Sequence, residues 1–522
     1  MDTGISTSSE KHEEKLFSLE KKDFAFAALA VVFGIFTAVF GIFGGFALGY
    51  FISCLLTAVL FGVYFAKGSV IKPFPLFCGA LSLANASAFI CTSNESVRFF
   101  SVAVSFFLGL ICFDNLRYGT KKGNRETLGI FFAAMATPKN VTVAAKSLFV
   151  GKGNGKKTFI KALIGLVCAI PVLFVVIPLL ISSDFAFSGL VEKVFGNFSF
   201  NAFQWIFGVF LSAFMVSYGF SMKKGHVAKA KESKFLGIDN AYLISFLSAI
   251  ASCYLLYLFS QLAYFFSAFG GFLPDGQISY AAYARKGFFE MCIIAVINLA
   301  IVLLALLVAK KKDGKASPAV KALTTFVAVF TLIIIATAVS KMLLYISAYG
   351  MTVLRVTTSA FMIFLAVVFF AVILHIYRTK INLILTALIT AGCILTVLGT
   401  VGVGSLCARY NYESYLSGKL DSIDVSALYH LGDEGIPYLV KLCEDKNERI
   451  SAEAKSYVSL AIRYRYFDDV DTESVLEPSS LKKKEEESGF SRFSIPKAKA
   501  YESLYEFLEE NPDFYENEHK TF

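Results

Sequence analysis

Four ionisable residues stand where an apolar chain has least reason to keep them. Arg285 and Lys286 precede an uncharged run, Glu290 lies one helical turn inside it, and Arg355 opens a later run after Tyr349-Gly-Met-Thr-Val-Leu. Charge inside a membrane-length segment is costly unless it meets a partner or water, so such groups mark a polar site by default. Lys286 and Glu290 have i, i+4 spacing in the weaker order, and Arg355 enters from the same side at similar depth. Two readings follow. Either the cations snorkel to lipid phosphates with Glu290 offsetting one of them, or Glu290 and Arg355 form a coupled pair in an outward-facing site for an anionic lipid or solute. The coupled pair is the expectation carried forward.

Other chemistry finds little support. Gly151 to Thr158 reads Gly-Lys-Gly-Asn-Gly-Lys-Lys-Thr, but a phosphate-cradling loop needs Gly where Val150 stands and Ser or Thr where Lys157 stands. It leads into an apolar segment and reads as a basic loop at an anionic leaflet. The five His (His12, His226, His375, His430 and His519) include no pair within a helical turn, and the ten Cys include no Cys-x-x-Cys pair, so neither a metal nor another cofactor is expected. No Gly-x-Ser-x-Gly elbow exists for nucleophilic catalysis. No catalytic residue is assigned. Cys407 and Cys443 could be bridged if their compartment is oxidising.

The elements that must position these residues are apolar and long. The chain has 522 residues, 56% hydrophobic and 17% charged, and its mean hydropathy is +0.63. Soluble domains carry about 25% charge and no apolar stretch of twenty or more, so a water-soluble enzyme is excluded. Residues 1–23 lack the apolar core and cleavage site of a removable signal. Phe24 to Ala66 carries no charge for 43 residues, roughly 65 Å as helix, and must therefore be a hairpin, with its break at Gly44-Gly45. Further spans are expected at Pro73 to Cys91, Ser96 to Phe113, Ile160 to Ile181, Asn201 to Ser221, Ala241 to Tyr264, Gly287 to Ala309, Ala319 to Ser340, Leu354 to Tyr377 and Asn382 to Val403, eleven with the hairpin. Leu128 to Val150, interrupted by Pro138, Lys139 and Lys146, reads as an interfacial helix pair that could be re-entrant, and Asp184 to Ser199 and Phe272 to Arg285 read as outer loops on the headgroups.

Charge sets the orientation. With the N-terminus inside, 28 Lys and Arg fall in the cytoplasmic segments and six on the other side, as the positive-inside rule requires. Residues 1–404 have a net charge of +18 and residues 405–522 of −9. The basic loops imply contact with anionic lipids and not with nucleic acid. The expected organisation is a cytoplasmic segment at 1–23, a transmembrane domain at 24–403 and an acidic extracytoplasmic domain at 404–522. In that last part Leu428, Leu431, Ile436, Leu439 and Leu442, then Ala452, Ala454, Tyr457, Leu460 and Ala461, then Tyr501, Leu504, Tyr505 and Leu508 have helical spacing, while the charge run Lys482 to Glu487 reads as a loop. The fold class is all-α: a polytopic helical bundle of about eleven spans with a small helical C-terminal domain. The expected role is a non-enzymatic envelope or signalling component whose residues 405–522 contact a protein partner, with transport or lipid handling as the alternative.

Four segments occur in order: Tyr-Ala-Ala-Tyr-Ala-Arg-Lys-Gly-Phe-Phe-Glu (280–290), Tyr-Gly-Met-Thr-Val-Leu-Arg (349–355), Ala-Arg-Tyr-Asn-Tyr-Glu (408–413) and Leu-Tyr-His-Leu-Gly-Asp-Glu-Gly-Ile-Pro-Tyr-Leu (428–439). Together they resemble a family of bacterial multi-pass membrane proteins known only as a domain of unknown function. The Tyr-Ala-Arg-x-Gly-Phe and Tyr-Gly-x-Thr-x-x-Arg pieces are the specific part, over roughly residues 110–460 of this chain. The resemblance implies a bacterial plasma membrane and supplies no catalytic residue.

Overall fold

A computed structural model describes residues 16–66, 72–119, 123–148, 200–224, 238–269, 288–310, 316–378, 380–466, 478–512 and 514. The helices are α1 (Lys21–Phe36), α2 (Leu48–Phe65), α3 (Pro73–Ala86), α4 (Ala88–Cys91), α5 (Glu95–Tyr118), α6 (Asn124–Ala136), α7 (Val141–Leu148) and α8 (Phe200–Lys224). Then come α9 (Asn240–Phe269), α10 (Phe288–Val308), α11 (Pro318–Tyr349), α12 (Val353–Tyr377) and α13 (Leu383–Val401). The C-terminal helices are α14 (Val403–Leu416), α15 (Val425–His430), α16 (Ile436–Leu442), α17 (Glu448–Ala461), α18 (Pro478–Glu487) and α19 (Ile495–Glu510). Among the described residues the only extended pairing is one bridge between Ile238 and Ala309.

Eleven described helices are long and apolar enough to cross a membrane, and ten of them coincide with expected spans. The hairpin break falls as expected: a π-helical stretch, Thr37–Ile42, carries α1 forward, and the chain turns through Gly45 at φ 95°. The eleventh is Asn124–Leu148, expected as an interfacial pair, while the expected span Ile160 to Ile181 and both outer loops lie outside the described residues. Large side chains left exposed on these helices, such as Val63, Phe99 and Leu256, would be an aggregation hazard in water and are the surface that acyl chains cover.

The helices form two compact units. The first contains residues 1–75, 112–119 and 129–230. Here α1 and α8 pack with small residues at their contact: a Cβ on Gly208 would meet Ile35 Cα at 2.6 Å, and Ser212 donates to Val31 O. Lipid is as apolar as a leucine side chain, so helices in it associate through close backbone approach and hydrogen bonds. An aromatic core of Phe26, Phe61, Phe65 and Phe220 closes the end of this unit where α1 begins and α8 finishes. That same end takes the second half of Asn124–Leu148. Ser217 donates to Thr137 O, Asn140 donates to Ser221 Oγ, and Phe17 N–H donates to Ser147 Oγ. Pro138 and a 3-10 turn separate this half from α6, and α6 alone, 13 residues, reaches only about 20 Å against a hydrocarbon thickness of about 30 Å.

The second unit contains residues 76–111, 120–128 and 231–522. Its helices meet at two ends. At one, Asn240 donates to Lys310 O, Tyr377 bonds Thr325, and Asn382 donates to Thr127 Oγ1. At the other stand residues 91–98, the α11–α12 turn and Gly402, and there the C-terminal helices pack. Their core holds Leu428, Ile436, Leu439, Leu442, Ala454, Ala461, Leu504 and Leu508 from the positions given by helical spacing, together with Val458 and Phe507, whereas Ala452 and Leu460 are exposed. Asp424 and Asn447 cap α15 and α17. One expectation fails: Lys482 to Glu487 is helical and belongs to α18, because Lys and Glu are good helix formers and Leu481 is buried to anchor them.

Gly208→Leu is expected to lower the thermal midpoint of the purified protein in detergent by the equivalent of about 1–3 kcal/mol, the usual cost of overpacking. Gly62→Ala, where an added Cβ meets nothing within 4 Å, should leave it unchanged or raise it.

Candidate functional site

Arg355 and Glu290 both begin helices, as their sequence context requires, but the structure gives them different company. Thr352 caps α12 by accepting from the Arg355 N–H. The Arg355 guanidinium donates to Tyr349 O at 3.0 Å and Gly350 O at 2.5 Å and lies 4.1 Å from the ring centroid of Tyr345. It therefore closes the carbonyl end of α11, where a cation is favoured by unsatisfied carbonyls and the helix dipole. Glu290 lies exposed in the first turn of α10. Among the described residues no ion pair joins it to Arg355. Arg285 and Lys286 lie outside the described residues, as does the Gly151 to Thr158 loop.

The turn that Arg355 closes is also gripped from the C-terminal helices. Asn411 on α14 accepts from Met351 N–H at 2.6 Å and donates to Met351 O at 2.8 Å, reproducing the hydrogen bonds of a paired strand. The segments 349–355 and 408–413, recognised separately in the sequence, are thus two halves of one contact. Segment 428–439 makes another, through Glu434.

Glu434 is 3% exposed, in a 3-10 turn Gly432–Glu434 between α15 and α16. Its Oε1 accepts from Thr92 Oγ1 at 2.6 Å and Ser93 N–H at 3.2 Å, and the Gly404 N–H at the start of α14 donates to the same carboxyl group. Gly404 has to be Gly, since a Cβ there would lie 2.0 Å from Glu434 Oε2. An acid at a helix N-terminus receives both orphan N–H groups and the positive end of the dipole. Arg98 fixes the loop beneath, donating to Thr92 O at 2.7 Å and Phe89 O at 3.2 Å. Burial nevertheless pushes the Glu434 carboxyl above its ordinary value, with the Thr92, Ser93 and Gly404 donors and the Arg98 charge pulling the other way. Its neighbour Asp433 accepts from the buried Tyr466 hydroxyl at 2.8 Å.

The first unit holds a second charged cluster. Asp23, in the first turn of α1 and fully buried, takes Lys223 at 3.0 Å, Lys224 at 3.1 Å and the Tyr64 hydroxyl at 2.9 Å. In the sequence Lys223 and Lys224 read only as topology signals, and Asp23 as the end of a polar N-terminal segment. The available signal was its place as the last acid before 43 uncharged residues. Glu434 was missed because Gly-Asp-Glu-Gly reads as a helix break, and no local pattern pairs it with Thr92, 342 positions away. Mid-span amides bond between helices, although among the described residues Asn85 Oδ1 and Ser101 Oγ are buried without a hydrogen-bond partner. Asn85 donates to Gly392 O and lies 3.0 Å from Thr396 Oγ1, and Asn298 accepts from Tyr254 and donates to Thr331. Cys407 and Cys443 are buried and not bridged to each other, and burial together with the Glu434 charge pushes the Cys407 thiol up to about 12.

A family model described as "Domain of unknown function (DUF4153)" matches residues 52–442. The chain belongs to this family. The match begins earlier than the resemblance read from the four segments and ends at the last residue of α16. It takes in Arg355, Asn411 and Glu434, so the contacts between the membrane helices and α14 to α16 fall within the family's own span. Neither a curated protein nor a solved structure matches the chain.

Glu434→Ala should destabilise the protein by about 3 kcal/mol, since it strands buried donors, measured as a lowered midpoint in detergent. Because the folded carboxyl binds its proton more tightly than the unfolded one, stability is greatest below the ordinary carboxyl value and falls as pH rises through the raised one. Glu434→Gln should remove that slope, read from melting curves across the acid range. Arg355→Gln should lower stability by about 1–2 kcal/mol through loss of charged hydrogen bonds and ring contact. With Glu290→Gln the two losses should add in a double-mutant cycle; coupling beyond about 0.5 kcal/mol would restore the paired site.

Proposed function

We propose that this multi-pass protein of the cell membrane is a non-enzymatic envelope or signalling component. Its membrane helices hold residues 404–522 in fixed register at the extracytoplasmic face, where that acidic domain meets a protein partner. The observation that carries this reading is the seating of the C-terminal helices: Glu434 binds them to the Thr92–Ser93 loop and Asn411 to the turn at Met351, two separate parts of the second unit. A domain tethered only to keep it near the membrane would need no such contacts.

Charge supports the orientation. The end of the second unit opposite the C-terminal helices carries Arg125, Lys310, Lys321, Arg378 and Lys380, the signature of a cytoplasmic face at which anionic lipids gather. Within the first unit, α5 ends with the Tyr118 hydroxyl donating to Met222 O, and Thr137 meets Ser217 at the same end of α8. The second half of Asn124–Leu148 is bonded at that end too, which supports reading the segment as interfacial, with the threading kept at eleven spans and residues 1–23 inside. Transport is the weaker reading because Asn85 and Asn298 are occupied in helix–helix contacts.

A reporter active only in the cytoplasm should be silent when fused after Phe522 and active when inserted at Lys380; the reverse would place the acidic domain inside. Photo-crosslinkers at exposed Leu460 and Tyr464 should trap a discrete protein species in cells. Solute uptake by vesicles containing the purified protein, with no crosslinked partner, would replace this reading with transport.

A further inference from the structure

Residues 488–495 join α18 to α19 and expose three apolar side chains, Phe490 at 53%, Phe493 at 43% and Ile495 at 40%. Gly489, at φ 69°, turns the chain into a short 3-10 segment that holds them outward. Arg492 and Lys497 line one cleft together with Phe493, Tyr501 and the acids Glu485 and Glu486. The setting is unusual for this part of the chain: residues 405–522 have a net charge of −9, yet residues 478–500 have a net charge of +3. Burial pushes the Lys497 ammonium below its ordinary value and Arg492 adds to the drop, while Asp433 and Glu485 oppose it.

Position names the occupant. α19 packs on the 3-10 turn Gly432–Glu434 and on α4, and that turn is held by Glu434 against Thr92 and Ser93, where α4 gives way to α5. Just beyond, α5 exposes Phe99 at 70% and Phe100 at 56%, the start of a lipid-facing surface. The apolar and basic segment is therefore next to the edge of the bilayer, and aromatic and aliphatic side chains flanked by Arg and Lys are the composition that lies in a headgroup layer.

We propose that residues 488–495 are a second membrane contact. Phe493 and Ile495, with Phe490, enter the headgroup–acyl boundary of the adjacent leaflet, and the net positive charge of residues 478–500, Arg492 and Lys497 foremost, draws anionic phospholipid headgroups to it. The proposal rests on the seating of the C-terminal helices at a membrane face and is independent of which face that is.

The single Trp, Trp205, makes the test direct. The full chain carrying Trp205→Phe and Phe493→Trp is reconstituted in phosphatidylcholine vesicles with a minor share of phosphatidylglycerol, and bromine is placed on the acyl chains of one lipid or the other. Emission should be blue-shifted, shielded from iodide and strongly quenched by brominated chains. It should be quenched several-fold more per mole of brominated phosphatidylglycerol than of brominated phosphatidylcholine, and inorganic phosphate should not change this. Adding Arg492→Gln and Lys497→Gln should bring the two lipids to parity while the melting midpoint is kept. Emission open to iodide and untouched by bromine would overturn the membrane contact. Parity in the unsubstituted segment, or loss of the preference on adding inorganic phosphate, would overturn the draw on anionic headgroups. Sidedness reporters and crosslinking report separately, so a wrong orientation or a missing partner does not mimic either failure.

Discussion

The burial of one carboxylate sets the arrangement of the second unit. Glu434 leaves water at a cost that only a full set of donors can offset, and its donors come from Thr92, Ser93 and Gly404. Satisfying the group requires the α4–α5 loop, the start of α14 and the 3-10 turn before α16 to converge at one point. The packing of α15, α16 and α17 then follows from an ordinary apolar core. Asn411 provides a second fixed point at Met351, and two separated attachments define an orientation where one would define only proximity.

The membrane helices obey a different economy. Between helices in lipid there is no water to expel, so hydrophobicity places a helix in the membrane without choosing its neighbour. The choices are made by steric and polar detail: Gly208 against Ile35, Gly399 against Ala88, Asn85 with Gly392, and Asn298 with Thr331. At one end of the first unit Asp23 collects two lysines and a tyrosine hydroxyl, and an aromatic core packs beside it. Both units therefore gather acidic side chains at helix ends, where peptide N–H groups and basic residues are at hand.

These contacts show how far the four sequence segments could be read. Tyr349 to Arg355, Ala408 to Glu413 and Leu428 to Leu439 were legible as segments, but their meaning was not. Arg355 was read as one side of a site facing Glu290, because both residues enter apolar helices from one side. In the structure its guanidinium closes the end of its own helical hairpin. Depth and side can be read from hydropathy; azimuth around a helix that is apolar on every face cannot. The helical state of Lys482 to Glu487 was missed for a related reason, since a charged run shows helical period only once its single buried anchor, Leu481, is known.

What the sequence alone determined was what bilayer thickness dictates: the all-α class, ten of the spans in the described residues, the break at Gly44-Gly45 and most of the buried face of the C-terminal helices. Those follow from local rules, because a lipid environment forces each segment to satisfy its own backbone. Only the tertiary structure decided which polar groups meet. Glu434 and Thr92 are 342 residues apart, and Asp23 and Lys223 are 200 apart. Pairings at that range are set by the packing of whole helices, so they leave no trace in the spacing of residues along the chain.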